Sequence, residues 1–128
     1  MATQAQAADV LETGRAFAEA YAAGDYSGVE ALLDPEVRYR EITPSRVVEA
    51  TGAAAILEEE REFLGRYDRH ETLELEAARV GARVAARTRW RLHRGDETEV
   101  VEWCEYMTVR DGRITALDAV CSGPMPER

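Results

Sequence analysis

The sequence predicts an α+β fold: three N-terminal helices packed on a curved, mostly antiparallel sheet, a cone-shaped α+β barrel around a cavity. Three observations predict it. Helical periodicity is confined to the first half of the 128 residues. Strict apolar–polar alternation fills the second half. Two turn dipeptides, Gly95-Asp96 and Asp111-Gly112, divide that half into long hairpins. Helices first and strands afterwards place the helices on one face of the sheet. A chain of this length forms one domain, expected over residues 8–123, with a flexible N-terminus at 1–7 and a C-terminal tail at 124–128.

From Ala8 the apolar residues Val10, Leu11, Phe17, Ala18 and Tyr21 make a helical stripe, which Gly24 ends. Asp25 caps a short second helix with Val29, Leu32 and Leu33 inside. Asp34-Pro35 closes it, because the residue before proline resists the α region. Val37–Glu41 alternates as a strand, Thr43-Pro-Ser45 turns, and Arg46–Ala50 is its short partner. Thr51 reads as the N-cap of a helix running to Leu64, and Gly65 stops that helix. Strands are expected over Glu71–Arg79, Arg83–Leu92, Glu97–Arg110 and Arg113–Ser122, with Pro124 and Pro126 stopping the last.

A two-residue loop at Gly95-Asp96 fixes the register of the strands beside it. Trp90 faces Val101, Thr88 faces Trp103, and Ala86 faces Glu105. On the opposite face Arg89 meets Glu102 and Arg87 meets Cys104. The covered face then collects Val84, Ala86, Thr88, Trp90 and Leu92. Glu105 interrupts that face, between Trp103 and Met107. Glu41 does the same beside Val37 and Tyr39, while Arg38 and Arg40 point outward. Two glutamates thus project into an apolar, aromatic cavity. Environments that separate two carboxyl pKa values assign an acid and a base.

Composition excludes other classes. Sixteen basic against twenty-five acidic residues give a net charge of −9, which argues against nucleic acid. Every basic residue is Arg, so lysine Schiff-base chemistry and a Walker-type phosphate loop are impossible. Cys104 and Cys121 make no disulfide framework, and His70 and His93 lack clustered metal-ligand spacing. No metal and no cofactor are expected. None of Ser27, Ser45 or Ser122 sits in a nucleophile elbow. No apolar run reaches membrane-span length and no leader pattern opens the chain, so a cytoplasmic location is expected.

Four segments carry a likeness to a known family: Phe17–Asp25, Leu32–Val37, Glu49–Gly52 before a helix, and Val109–Thr115. In their order and spacing, over residues 8–122, the chain resembles the nuclear transport factor 2-like superfamily, and within it the SnoaL-like and ketosteroid-isomerase-like members. The resemblance implies Glu41 where ketosteroid isomerases keep a general-base Asp, and Glu105 where they keep a protonated, oxyanion-donating Asp. It also implies departures. The family's oxyanion Tyr falls on Phe17, with Tyr21 one helical turn on. The Arg and Asp of limonene-epoxide-hydrolase-like members fall on Thr88 and Trp90, and their second Asp on Ala119. Asp118 lies one residue from the acid that SnoaL-like cyclases carry on the last strand, and a slip of one residue changes the face.

The expected function is that of a small cofactor-independent acid–base enzyme, of isomerase, dehydratase or cyclase type, acting on a small apolar, polyketide- or terpenoid-like molecule. Glu41 takes a proton and neutral Glu105 donates a hydrogen bond. Phe17, Tyr21, Tyr39, Thr88, Trp90, Trp103, Met107, Leu117 and Cys121 shape the pocket, with Glu60 at its mouth. The alternative is a non-catalytic hydrophobic-ligand-binding or dimerisation domain. His70 and His93 are expected at the surface. The resemblance implies a homodimer through the outer sheet face, which carries Arg87, Arg89, Cys104 and Tyr106.

Overall fold

A computed structural model describes the backbone of residues 4–127 and the side chains of residues 9–127. Three helices, α1 (Gln4–Ala22), α2 (Tyr26–Leu32) and α3 (Ala53–Leu64), cover one face of a seven-stranded sheet. The strands are β1 (Leu33–Ile42), β2 (Val47–Thr51), β3 (Arg69–Val80), β4 (Arg83–Arg94), β5 (Glu97–Arg110), β6 (Arg113–Cys121) and β7 (Met125–Pro126). The order is β2-β1-β6-β5-β4-β3, with β7 on β5. All neighbours are antiparallel except β1 and β6. The sheet curves around the helices without closing.

Part of the expected flexible N-terminus lies outside the described residues, which enter α1 at Gln4. Gly14 lets α1 settle on the sheet: a Cβ there would lie 2.5 Å from Val84 Cγ1. Asp25 caps α2 as expected, accepting from the Gly28 amide at 3.0 Å. Thr51 does not cap α3. It is committed to the β1–β2 ladder opposite Arg38. Gly52 takes the cap with φ 102°, a conformation side chains rarely adopt, and its amide donates to Val37 O at 2.8 Å.

The β4–β5 register is the one the Gly95-Asp96 loop predicts, residue for residue, from Arg94–Glu97 to Arg83–Thr108. The inward residues of β4, from Val84 to Leu92, are buried. Outside, Arg87 and Arg89 both reach Glu102, at 2.9 and 3.2 Å. The C-terminal segment departs from expectation. Pro124 and Pro126 do not end the structure: the chain bends at Ser122–Pro124 and β7 pairs with Glu99 and Val100 of β5. Glu127 anchors it, with its carboxylate accepting from Arg91 twice at 2.8 Å. Among the described residues no helix is long and apolar enough to cross a membrane.

Candidate active site

One row across the sheet organises the site. Glu41 on β1 is level with Ala119 on β6, which is level with Glu105 on β5, then Ala86 on β4 and Ala77 on β3. The two glutamates therefore stand two strands apart, about 10 Å between Cα atoms. The alanine between them leaves the space above it empty. A cavity of about 330 Å³ occupies this end of the sheet beneath α3. That volume lies within the usual small-ligand range.

Glu41, Tyr39, Trp103 and Cys121 line the cavity from the strands, Tyr21 from α1, and Ile56, Glu60 and Phe63 from α3. Ile56, Glu60 and Phe63 share one face of α3 by helical spacing. The Trp103 indole N–H donates to Glu41 Oε2 at 3.0 Å. Burial pushes the Glu41 carboxyl upward, and the Trp103 N–H and the Tyr39 phenol pull it back toward the charged form. Glu105 has no such donor. Burial first, then repulsion from Glu41, raises its pKa to about 8. Glu60 is 5% exposed, and its pKa lies well above the ordinary value through burial and the charge of Glu105. Its Oε1 has no hydrogen-bond partner. All three carboxyls are pushed toward the protonated form by burial, and of the three only Glu41 has donors, Trp103 and Tyr39, that work against the shift.

The structure places the expected site residues in two groups. Glu41, Glu60, Tyr21, Tyr39, Trp103 and Cys121 line the cavity. Glu105 does not; it is buried directly behind the wall, within electrostatic reach of Glu41 and Glu60. Phe17, Thr88, Trp90, Met107 and Leu117 face the right way but do not line the cavity. All five are 4% exposed or less: Phe17 is carried by α1 itself, and the other four lie on β4, β5 and β6, which α1 crosses. Parity gives the face of a residue, not whether a helix rests on it. Glu60 lies deeper than a mouth residue. His70 is half-buried rather than at the surface, its ring 4.2 Å from Trp90 and Nε2 2.9 Å from Ala22 O. His93 is bonded to Glu71 at 2.8 Å, away from the cavity.

The mouth went unread in the sequence. Arg46 pairs with Glu59 at 3.3 Å, and Arg66 approaches Glu62 at 3.9 Å. Pro44 faces Gly123, Pro124 and Met125 from the bend before β7. Only the unforeseen β5–β7 pairing brings that segment over the opening. Cys121 is chemically quiet, since burial raises its thiol pKa to about 11. Among the described residues no cluster of three or more His, Cys, Asp or Glu side chains could hold a metal.

Three helices on an open, curved sheet, with an acid-lined pocket between α3 and the β1/β6/β5 end, define a cone-fold pocket protein. The profile of the SnoaL-like domain family matches residues 14–117, so the chain belongs to that family, within the nuclear transport factor 2-like superfamily. Solved structures share the fold. Bal32a, from a soil-derived mobile gene cassette, superposes with a TM-score of 0.75 at 21% identity, over 90% of each chain. A provisionally named polyketide cyclase from Xanthomonas campestris pv. campestris gives 0.72 at 20% identity, over 88% of this chain and 89% of that one. A limonene-epoxide-hydrolase-like epoxide hydrolase of M. tuberculosis gives 0.65 at 21% identity, over 90% and 84%. No curated protein matches the sequence.

Proposed function

We propose that the chain is a small acid–base enzyme, working without a cofactor, that acts on a small, largely apolar molecule in the cavity. The supporting observation is the difference in surroundings between two carboxyls that line one aromatic pocket, Glu41 and Glu60, with Glu105 buried behind its wall. Glu41 accepts from Trp103, which favours the carboxylate, and so it is the base. Glu60 lines the cavity, burial and the charge of Glu105 push its carboxyl toward the protonated form, and it is the acid that can donate to oxygen as negative charge develops; Glu105, with a pKa raised to about 8, backs it from behind the wall. Phe17 is buried and has no donor, so the acids take the part a phenol would play. Proton abstraction from carbon with stabilisation of an enolate is common to isomerisation, dehydration and cyclisation. The description of one structural neighbour as a polyketide cyclase is consistent with this class. The exposed Ile42, Val120 and Tyr106 on the outer face are the proposed dimer surface, and sedimentation tests it.

The test is solvent-proton exchange. Small cyclic ketones in D₂O, followed by NMR, should lose α-hydrogens faster with protein present. Glu41→Gln should remove the acceleration while the melting temperature and ligand-induced stabilisation persist. Exchange unchanged in Glu41→Gln would end the enzyme reading. Binding without exchange in either protein would leave the non-catalytic pocket domain.

A further inference from the structure

We propose that the cavity is built for an organic ammonium: a protonated amine on a single-ring apolar body, its nitrogen on the unpartnered Glu60 carboxyl in the cavity that Glu41 also lines, and its ring among Tyr21, Tyr39, Phe63 and Trp103. The inference rests on the cavity being a ligand site, as proposed above, but not on turnover.

The first observation is an imbalance of charge. Glu41, Glu60 and Glu105 converge from β1, α3 and β5, and among the described residues none of them has an ion-pair partner. The two cations that line the cavity, Arg46 and Arg66, are engaged at the mouth by Glu59 and Glu62. Ionising a carboxyl buried here with no cation beside it is costly, and an incoming cation offsets that cost. The second observation is independent. Glu60 is 95% buried and lines the cavity, and its Oε1 accepts no hydrogen bond. A buried polar atom left unpaired costs stability that a donor on the ligand recovers.

Two features choose an organic cation over a metal ion. Among the described residues the carboxyls do not gather into a group that could hold a metal. Around them stand aromatic rings, whose faces attract ammonium groups. Size limits the body. A dry cavity of about 150 Å³ accepts benzene, so about 330 Å³ takes one ring with a short arm. The amine supplies three donors, of which one meets the bare Glu60 oxygen.

The experiment is calorimetric titration of the full chain at pH 7 with 2-phenylethylamine, its neutral isostere 2-phenylethanol, and phenylacetate. The amine should bind at least tenfold tighter than the alcohol, and phenylacetate should not bind. The preference should persist at 0.5 M NaCl, because buried pairs are weakly screened, unlike a general attraction to the −9 chain. Glu60→Gln and, separately, Glu41→Gln should each lose most of the tenfold preference and keep the alcohol affinity; two variants guard against one failing to fold. An alcohol that binds as tightly as the amine overturns this proposal and leaves the acid–base reading for neutral substrates standing. Failure of all three probes to bind overturns the proposal together with the single-ring ligand class. A preference that survives both substitutions overturns the assignment of the carboxyls.

Discussion

Replacing Glu105 by Gln should make the protein more resistant to alkali. The carboxyl titrates at about 8 in the folded chain against 4.5 when free. Across that interval the folded state holds a proton that the unfolded state gives up, so stability falls as pH rises from 4.5 to 8 and is then flat. Each pH unit is worth about 1.4 kcal/mol, so between pH 5 and pH 9 Glu105 withdraws about 4 kcal/mol. That is a large share of the 5–15 kcal/mol typical of a domain. Glutamine has nearly the same shape and cannot ionise. Glu41 and Glu60 have slopes of the same sign, so the wild-type chain declines at least this steeply. Urea unfolding followed by tryptophan fluorescence at intervals from pH 5 to pH 9 gives both curves. The gap should widen by about 4 kcal/mol in favour of Glu105→Gln, more than roughly ten degrees in Tm at the alkaline end. Parallel curves, or a wild-type chain that gains stability with pH, would refute the buried-acid reasoning.

Three further outcomes are expected. Trp103→Phe removes the N–H that Glu41 accepts at 3.0 Å, so the Glu41 carboxyl, followed by carbon-13 NMR, should titrate at higher pH. Gly14→Ala drives a methyl into Val84, whose side-chain atoms lie within 2.9 Å of the added carbon. It should cost about 1–3 kcal/mol by overpacking despite alanine's better helix propensity, and Val84→Ala should recover part of the loss in a chemical-denaturation cycle. Iodoacetamide at pH 8 should label half-buried Cys104 well before Cys121, whose thiol burial holds at about 11, with mass spectrometry giving the order.

The legible part of the fold is the part set by neighbours in the chain. The Gly95-Asp96 turn and the alternation around it fix which residues of β4 and β5 oppose one another. The same parity puts Glu41 and Glu105 on the covered face, because a strand's side-chain period is two and admits no third side. The helical spacing that groups Glu60 with Ile56 and Leu57 likewise turns Glu60 toward the pocket, though the sequence placed it at the mouth and the structure sets it deeper. What the alternation could not carry is depth. Thr88, Trp90 and Met107 share the face of Trp103, yet α1 covers them while Trp103 meets Phe63 of α3 edge-on at 5.6 Å and lines the cavity, a choice made by packing between elements distant in sequence. Nor could it carry the parallel pairing of β1 with β6 or the return of Met125–Pro126 to β5. Backbone pairing of that kind is open to any extended segment that arrives. The sequence by itself therefore determined the sheet's hairpins and the inward direction of each acid. Only the tertiary structure decided that Glu41 and Glu60 line one cavity with Glu105 buried behind it. That depends on α3 lying over the cavity at this end of the sheet, and it is burial there that pushes all three carboxyls above the ordinary range.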